Sequence, residues 1–285
     1  MAGPRMPDGA TRLYLIVGDP IIQVKSPAGM SSRFAQLGCN ALMLPAQVSP
    51  VDLATFMAGA KKIRNLDGIC VTVPHKLDCA AHCDVLSDRS RLLGAVNVMR
   101  RMPDGWHGDM VDGAAFIGAV EAKGGVISGK KVLVIGAGGA GSAIALAVIE
   151  AGAASVTIHD QDSVRRDALV QRLAAIAPTK QISAGSPDPT GVDIVANASP
   201  AGMKESDPYP IDVDKISPTA FAACVITQPD PSPWLVKAAA KGCRISTGTD
   251  MYRAGEDLQL NFFLTGRGFT VAAMSQSDSK SGTDP

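Results

Sequence analysis

The sequence predicts an α/β fold in two parts, and three observations predict it. Helical and extended patterns alternate from residue 12 to residue 264, the rhythm of sheets covered by helices. A strand, a glycine turn and a helix follow one another without a gap in "KKVLVIGAGGAGSAIALAVIE". The chain has 285 residues, 46% apolar and 19% charged, more than one average domain needs and enough to bury two cores.

The elements follow in order. Residues 12–17 are apolar and β-branched and read as a strand, with "GDP" as its turn. Ser26-Pro27 suits a helix start, serine as cap and proline in the first turn, with the helix running to Gly38. Residues 41–44 read as a strand, 52–64 as a helix and 68–73 as a buried strand. That strand, "GICVTVPHK", leaves the core through a proline that cannot continue a ladder and then presents His75 and Lys76. A helix is expected over 77–93, then short extended pieces in "GAVNVM" and "WHGDMVD". Further strands are expected at 131–135, 155–159, 194–196, 222–227 and around Ile245, and a closing helix at 257–264. The polar end "SQSDSKSGTDP" is expected to be disordered.

Charge and cysteine usage exclude several classes. Lys+Arg and Asp+Glu balance at 27 each, so no basic surplus points to nucleic acid and no basic amphipathic stretch to a membrane surface. The apolar runs are too short to span a bilayer. "MAGPRMPDGATR" does not read as a leader peptide, and six scattered cysteines fit reduced thiols, so a cytoplasmic location is expected. Cys79, His82 and Cys83 match no common zinc spacing, and no metal is expected.

Gly136-Ala-Gly138-Gly139-Ala140-Gly141 contains G-x-G-x-x-G between a strand and a helix, the context in which that pattern binds a dinucleotide. Gly136 permits the tight turn, Gly138 lets backbone approach a pyrophosphate, and Gly141 lets helix and strand pack closely. The helix start offers free N–H groups to phosphate. Asp160 ends the next strand, where an acidic residue accepts from ribose hydroxyls and repels a 2′-phosphate; no arginine precedes Arg165-Arg166. NAD rather than NADP is the expected cofactor.

With these residues in place, the chain resembles the shikimate/quinate dehydrogenases from about residue 13 to 268. The resemblance rests on "GDPIIQVKSP", "GICVTVPHK", "GAVNVM", "GDMVDG", "GAGGAG", "NASPAGM", "VITQPDPSPWL" and "GTDM", in the family's order. It implies an α/β substrate domain (1–112), a Rossmann dinucleotide-binding domain (113–250), a helix returning to the first domain (251–274) and a tail (275–285), with the active site in the cleft between the domains. It implies that Lys76 and Asp112 form the catalytic pair. Ser26, Thr72 and Asn97 would hold substrate, and Asn197, Ser199, Met203, Gly248 and Met251 would line the cofactor side. His75 is a neighbour able to tune Lys76.

The family pattern also breaks. Val24 stands where the family has a serine, Cys70 where it has an asparagine, and Met110-Val111 where it has Asn-Thr. Thr227 replaces a tyrosine, and Gly255 or Ala254 falls where a glutamine belongs. Valine, methionine and glycine side chains offer no hydrogen bonds, so the substrate shell is stripped on one side. The expected activity is hydride transfer between NAD and a cyclic secondary alcohol or ketone, with a shikimate-like or quinate-like hydroxy-carboxylate as the partner molecule. The alternatives are strict biosynthetic shikimate dehydrogenase and a nucleotide-binding module without turnover. A homodimer is allowed for. Lysine is protonated near neutrality, so oxidation of the alcohol is expected to gain rate as pH rises.

Overall fold

The computed structural model describes residues 6–203 and 206–265. The first part contains β1 (Arg12–Gly18), α1 (Ser26–Gln36), β2 (Ala41–Gln47), α2 (Leu53–Ala60), β3 (Leu66–Val71), β4 (Val85–Leu86), α3 (Asp88–Leu93), β5 (Val98–Met102), β6 (Gly105–Asp109) and α4 (Asp112–Ala122). Its sheet has the order β2-β1-β3-β5-β6-β4. The strands β1, β2 and β3 are parallel, while β5 pairs antiparallel with both β3 and β6. All six residues of β3 are buried, as a central strand of a sheet covered on both faces requires, with Asp67 paired to Arg12.

The second part contains β7 (Lys131–Ile135), α5 (Gly139–Glu150), β8 (Ser155–His159), α6 (Ser163–Ile176), β9 (Gln181–Ala184), β10 (Ile194–Asn197), β11 (Phe221–Cys224), α7 (Pro233–Ala240) and β12 (Arg244–Ser246). Its strand order is β12-β11-β10-β7-β8-β9, all parallel. This is the doubly wound order in which the chain reverses direction between β7 and β10, and ligands sit beyond the carboxyl ends of the strands at that reversal. The last helix, α8 (Gly248–Leu264), packs on α4 and α1, and its Leu260, Phe263 and Leu264 complete the core of Tyr14, Ile16, Met30 and Phe34 in the first part. Gly68 is required there, because a Cβ would lie 2.7 Å from the Phe263 ring.

Several expectations change. The helix expected over 77–93 is a 3-10 turn, Asp78–His82, then β4, then α3. Asp84 takes the Trp106 N–H (2.7 Å), β4 pairs with β6, and Ser87 caps α3 by accepting from the Ser90 N–H, so tertiary pairing overrides the local helical pattern. The closing helix starts at Gly248 rather than 257, because Thr247 and Asp250 form a capping box. Ser26 is not a cap: Lys25 holds that position and Ser26 begins α1. The strand of "GICVTVPHK" runs from Leu66 to Val71 and not from 68 to 73. The expected tail and the part of the returning segment beyond 265 lie outside the described residues. Among the described residues no helix is long and apolar enough to cross a membrane.

Candidate active site

Lys76 sits five residues past β3, and its backbone carbonyl is fixed by the Val96 N–H (2.8 Å). Its Nζ donates to Asp112 Oδ2, at the first residue of α4. The other carboxylate oxygen, Oδ1, accepts from Asn97 Nδ2 (2.6 Å), and Asn97 Oδ1 accepts the Val111 N–H (2.8 Å). Asn97 therefore clamps both the carboxylate and the backbone entering α4. The side chains of Lys76 and Asp112 are 17% and 11% exposed, buried enough for a strong pair and open enough for a ligand. Ser26 and Thr72 carry hydroxyls that have no hydrogen-bond partner among the described residues, which leaves them for a ligand. Val24 packs with the apolar cluster around Met30 and Phe34 and offers nothing polar. Thr227 is half-buried near the start of the loop after β11.

The glycine turn faces this pair. A Cβ on Gly139 would lie 2.6 Å from Lys76 Cβ, so the turn's backbone rests on the lysine stem. Gly136 has φ 104°, a conformation side chains rarely adopt, and a Cβ there would lie 2.9 Å from the Ala198 carbonyl. Gly141 has no room for a Cβ beside the Gly136 carbonyl. Gly138 differs, because nothing lies within 4 Å of its Cβ position and no side chain caps α5. An open backbone face above uncapped amides of Gly139 and Ala140 fits a pyrophosphate.

Asp160 is buried at the end of β8, but its oxygens are taken. It accepts from the Ala137 N–H (2.7 Å), the Asp162 N–H (2.9 Å), Arg165 Nη2 (2.8 Å) and Arg165 Nε (3.3 Å). Burial alone would raise its pKa; the hydrogen bonds from Arg165 and the two amides outweigh this and hold it below the usual carboxylate range. Arg165, five residues on in sequence, thus folds back onto Asp160.

The remaining expected residues are placed as follows. Asn197 is fully buried and spends its amide on Ala201 O (3.1 Å), Cys224 Sγ (3.4 Å), the Ser199 N–H (3.1 Å) and Ser199 Oγ (2.7 Å). Asn197 and Ser199 shape the loop after β10 instead of presenting polar groups outward. Met203 and Met251 pack half-buried against two core clusters. Gly248 lies against the Ile226 carbonyl, where a Cβ would not fit, so it seats α8 close to β11. His75 turns into the core and bonds Val48 O (2.7 Å), away from the role of tuning Lys76.

Sequence reasoning named Gly255 of the wall that α8 supplies and missed Tyr252, Glu256 and Gln259. Tyr252, Gly255, Glu256 and Gln259 fall on one stripe at i, i+3, i+4 and i+7 spacing, and that spacing was the available signal. Gly255 packs on Ala115 of α4 (3.2 Å to its Cβ position). Gln259 Oε1 accepts from Cys70 Sγ (3.3 Å), and Tyr252 Oη donates to Glu256 Oε1 (2.6 Å). Both ends of the Tyr252–Glu256 pair lie over the bare face of Gly29 in the first turn of α1. Burial, then the bond to Glu256, pushes the Tyr252 phenol up, so it remains a donor. Across the cleft, Lys25 Nζ bonds Thr249 Oγ1 (2.6 Å), tying the loop before α1 to the start of α8. A separate hollow of about 330 Å³, lined by Lys130, Asp193, Phe221 and Arg244, opens at the amino-terminal edge of the second sheet, away from Lys76.

Comparison with known proteins agrees with this geometry. The family profile described as the shikimate dehydrogenase substrate binding domain matches residues 16–99. The shikimate dehydrogenase (NADP(+)) of Rubrobacter xylanophilus is 33% identical over 85% of this chain and 86% of its own. The structure of shikimate dehydrogenase from Aquifex aeolicus superposes with a TM-score of 0.82 at 25% identity, covering 90% of this chain and 94% of that one. The ligand-free 5-ketofructose reductase of Gluconobacter sp. strain CHM43 superposes with a TM-score of 0.77 at 27% identity, covering 93% and 97%.

Proposed function

The chain belongs to the shikimate dehydrogenase family, and from that premise we propose that it interconverts a cyclic secondary alcohol and its ketone, with Lys76 and Asp112 handling the proton. The observation that carries this reading is the chain of contacts Asn97–Asp112–Lys76 lying directly under the glycine turn. A nicotinamide dinucleotide, when bound, supplies or removes the hydride. In the reducing direction the Lys76 ammonium gives one proton to the carbonyl oxygen as it becomes a hydroxyl. In the oxidising direction the neutral amine takes the hydroxyl proton, so that rate rises with pH. Asp112, held by Asn97, keeps the amine from swinging away, and Ser26 and Thr72 offer hydroxyls to the substrate.

Shikimate and quinate are the first substrates to try, because the family is named for the former. The losses at Val24, Met110 and Gly255 support a changed substrate, and a similar fold named for reduction of a keto-sugar supports the same direction. The negative charge of Asp160, which would repel a 2′-phosphate although its oxygens are already bonded, supports NAD. Arg165, laid against it, supports a second reading with NADP, the cofactor for which the Rubrobacter relative is named.

The test is the initial rate of NAD and NADP reduction with shikimate and quinate at alkaline pH, wild type against Lys76→Ala. General acid–base groups contribute about 10²–10⁴ in rate, so the variant is expected to lose at least about a hundredfold while binding the dinucleotide with unchanged affinity. Equal rates in the two proteins remove the assignment.

A further inference from the structure

The wall of the cleft formed by α8 carries a negative charge that the proton-transferring pair does not need. Glu256 is half-buried, accepts from Tyr252 Oη (2.6 Å), and pairs with no lysine, arginine or histidine among the described residues. Arg253, one turn earlier on the exposed side of α8, makes no ion pair with it, Lys25 reaches Thr249 (2.6 Å), and Arg33 pairs with Asp257. Lys76 is balanced by Asp112. On the function proposed above, a ligand reaching this face of α8 would meet a carboxylate without an ion-pair partner and, from the loop before α1, the aliphatic Val24. It also meets two hydrogen-bonding groups, the Ser26 hydroxyl and the Gln259 amide.

These surroundings discriminate by charge. A carboxylate on the substrate would face Glu256 with no positive partner, and like charges in a partly buried site repel strongly. A hydroxyl in the same place donates to Glu256 and accepts from Ser26, so every polar group is satisfied. Resting on the reaction assigned above, we propose that Glu256, positioned by Tyr252, selects uncharged polyhydroxylated alcohols and ketones over hydroxy-carboxylates. Glu256 is in this reading a specificity-determining residue, and the carboxyl-bearing compounds are the disfavoured members of the substrate class.

The experiment compares each acid with its uncharged ester, shikimate against methyl shikimate and quinate against methyl quinate, with the dinucleotide at saturation; Glu256→Gln separates the effect of charge from that of the added methyl group. The wild type is expected to show kcat/KM at least about tenfold higher for each ester than for its acid. In Glu256→Gln the ratio is expected to fall toward one through a gain on the acid, whereas Tyr252→Phe, which keeps the charge, retains a preference for the ester. A wild type that prefers the acids, or a ratio unmoved by Glu256→Gln, overturns the proposal. If neither form turns over, the assigned reaction has failed, and calorimetric binding of acid and ester to the NADPH-loaded and NADH-loaded enzyme decides the charge preference. The same ratios are expected there, and binding of neither form overturns it.

Discussion

At the scale of single residues, buried polar atoms divide into those consumed by the fold and those left for a ligand. Asn97 is consumed at both ends, on Asp112 and on the Val111 N–H. Removing it leaves two buried groups unpaired, at about 1–3 kcal/mol each. Asn97→Ala is expected to melt well below wild type in scanning calorimetry and to lose rate as well, because Asp112 is released. Ser26 spends nothing on the fold, so Ser26→Ala is expected to stay within about 0.5 kcal/mol of wild-type stability. A drop as large as that of Asn97→Ala would show that Ser26 belongs to the scaffold. Lys76, Asp112 and the glycines were legible in the sequence because their chemistry is attached to a rigid local pattern. The filled state of Asn197, Ser199 and Asp160 was not legible, because hydrogen-bond partners depend on where loops return in space.

At the scale of elements, the turn between β7 and α5 separates two uses of glycine. Gly141 has no room for a Cβ beside the Gly136 carbonyl, whereas the Cβ position of Gly138 meets nothing and its backbone is extended, at φ −73°. Gly141→Ala is expected to disrupt the turn and lower the melting temperature. Gly138→Ala is expected to fold normally and lose dinucleotide affinity, read by quenching of protein fluorescence or by calorimetry. Normal affinity in Gly138→Ala would mean that the phosphates lie elsewhere. Elements with a strong apolar pattern, such as β3 and β7, stand where the sequence places them within a few residues. The 77–93 segment does not, because pairing of β4 with β6 and the bond from Trp106 to Asp84 are long-range. The helix α6 buries only Leu169 and Leu173, too sparse a stripe to read, and α8 was legible only in its last turns because its capping box lies in a segment that resembles a loop.

At the scale of the whole molecule, acid sensitivity follows from carboxylates that are buried and bonded. Burial opposes ionisation of Asp109 and Asp160, but Arg89 and Ser87 for the one, and Arg165 and two amides for the other, hold both pKa values below the usual range. A group depressed in the folded state stabilises above its unfolded value, about 3.9, and that stability is lost as pH falls through the folded value. The melting temperature is expected to change little on their account from pH 7 to about 4 and to fall below that. Asp160→Asn is expected to lower it at pH 7 and to flatten the acid decline; an unchanged decline would place the sensitivity elsewhere. Finally, the glycine turn proposed to hold the phosphates also rests on the stem of the proposed proton-transferring amine, through Gly139 against Lys76. On the function proposed above, the dinucleotide and the substrate would then share a wall. Any coupling of two such ligands through that wall would be reciprocal, each changing the other's affinity by the same factor.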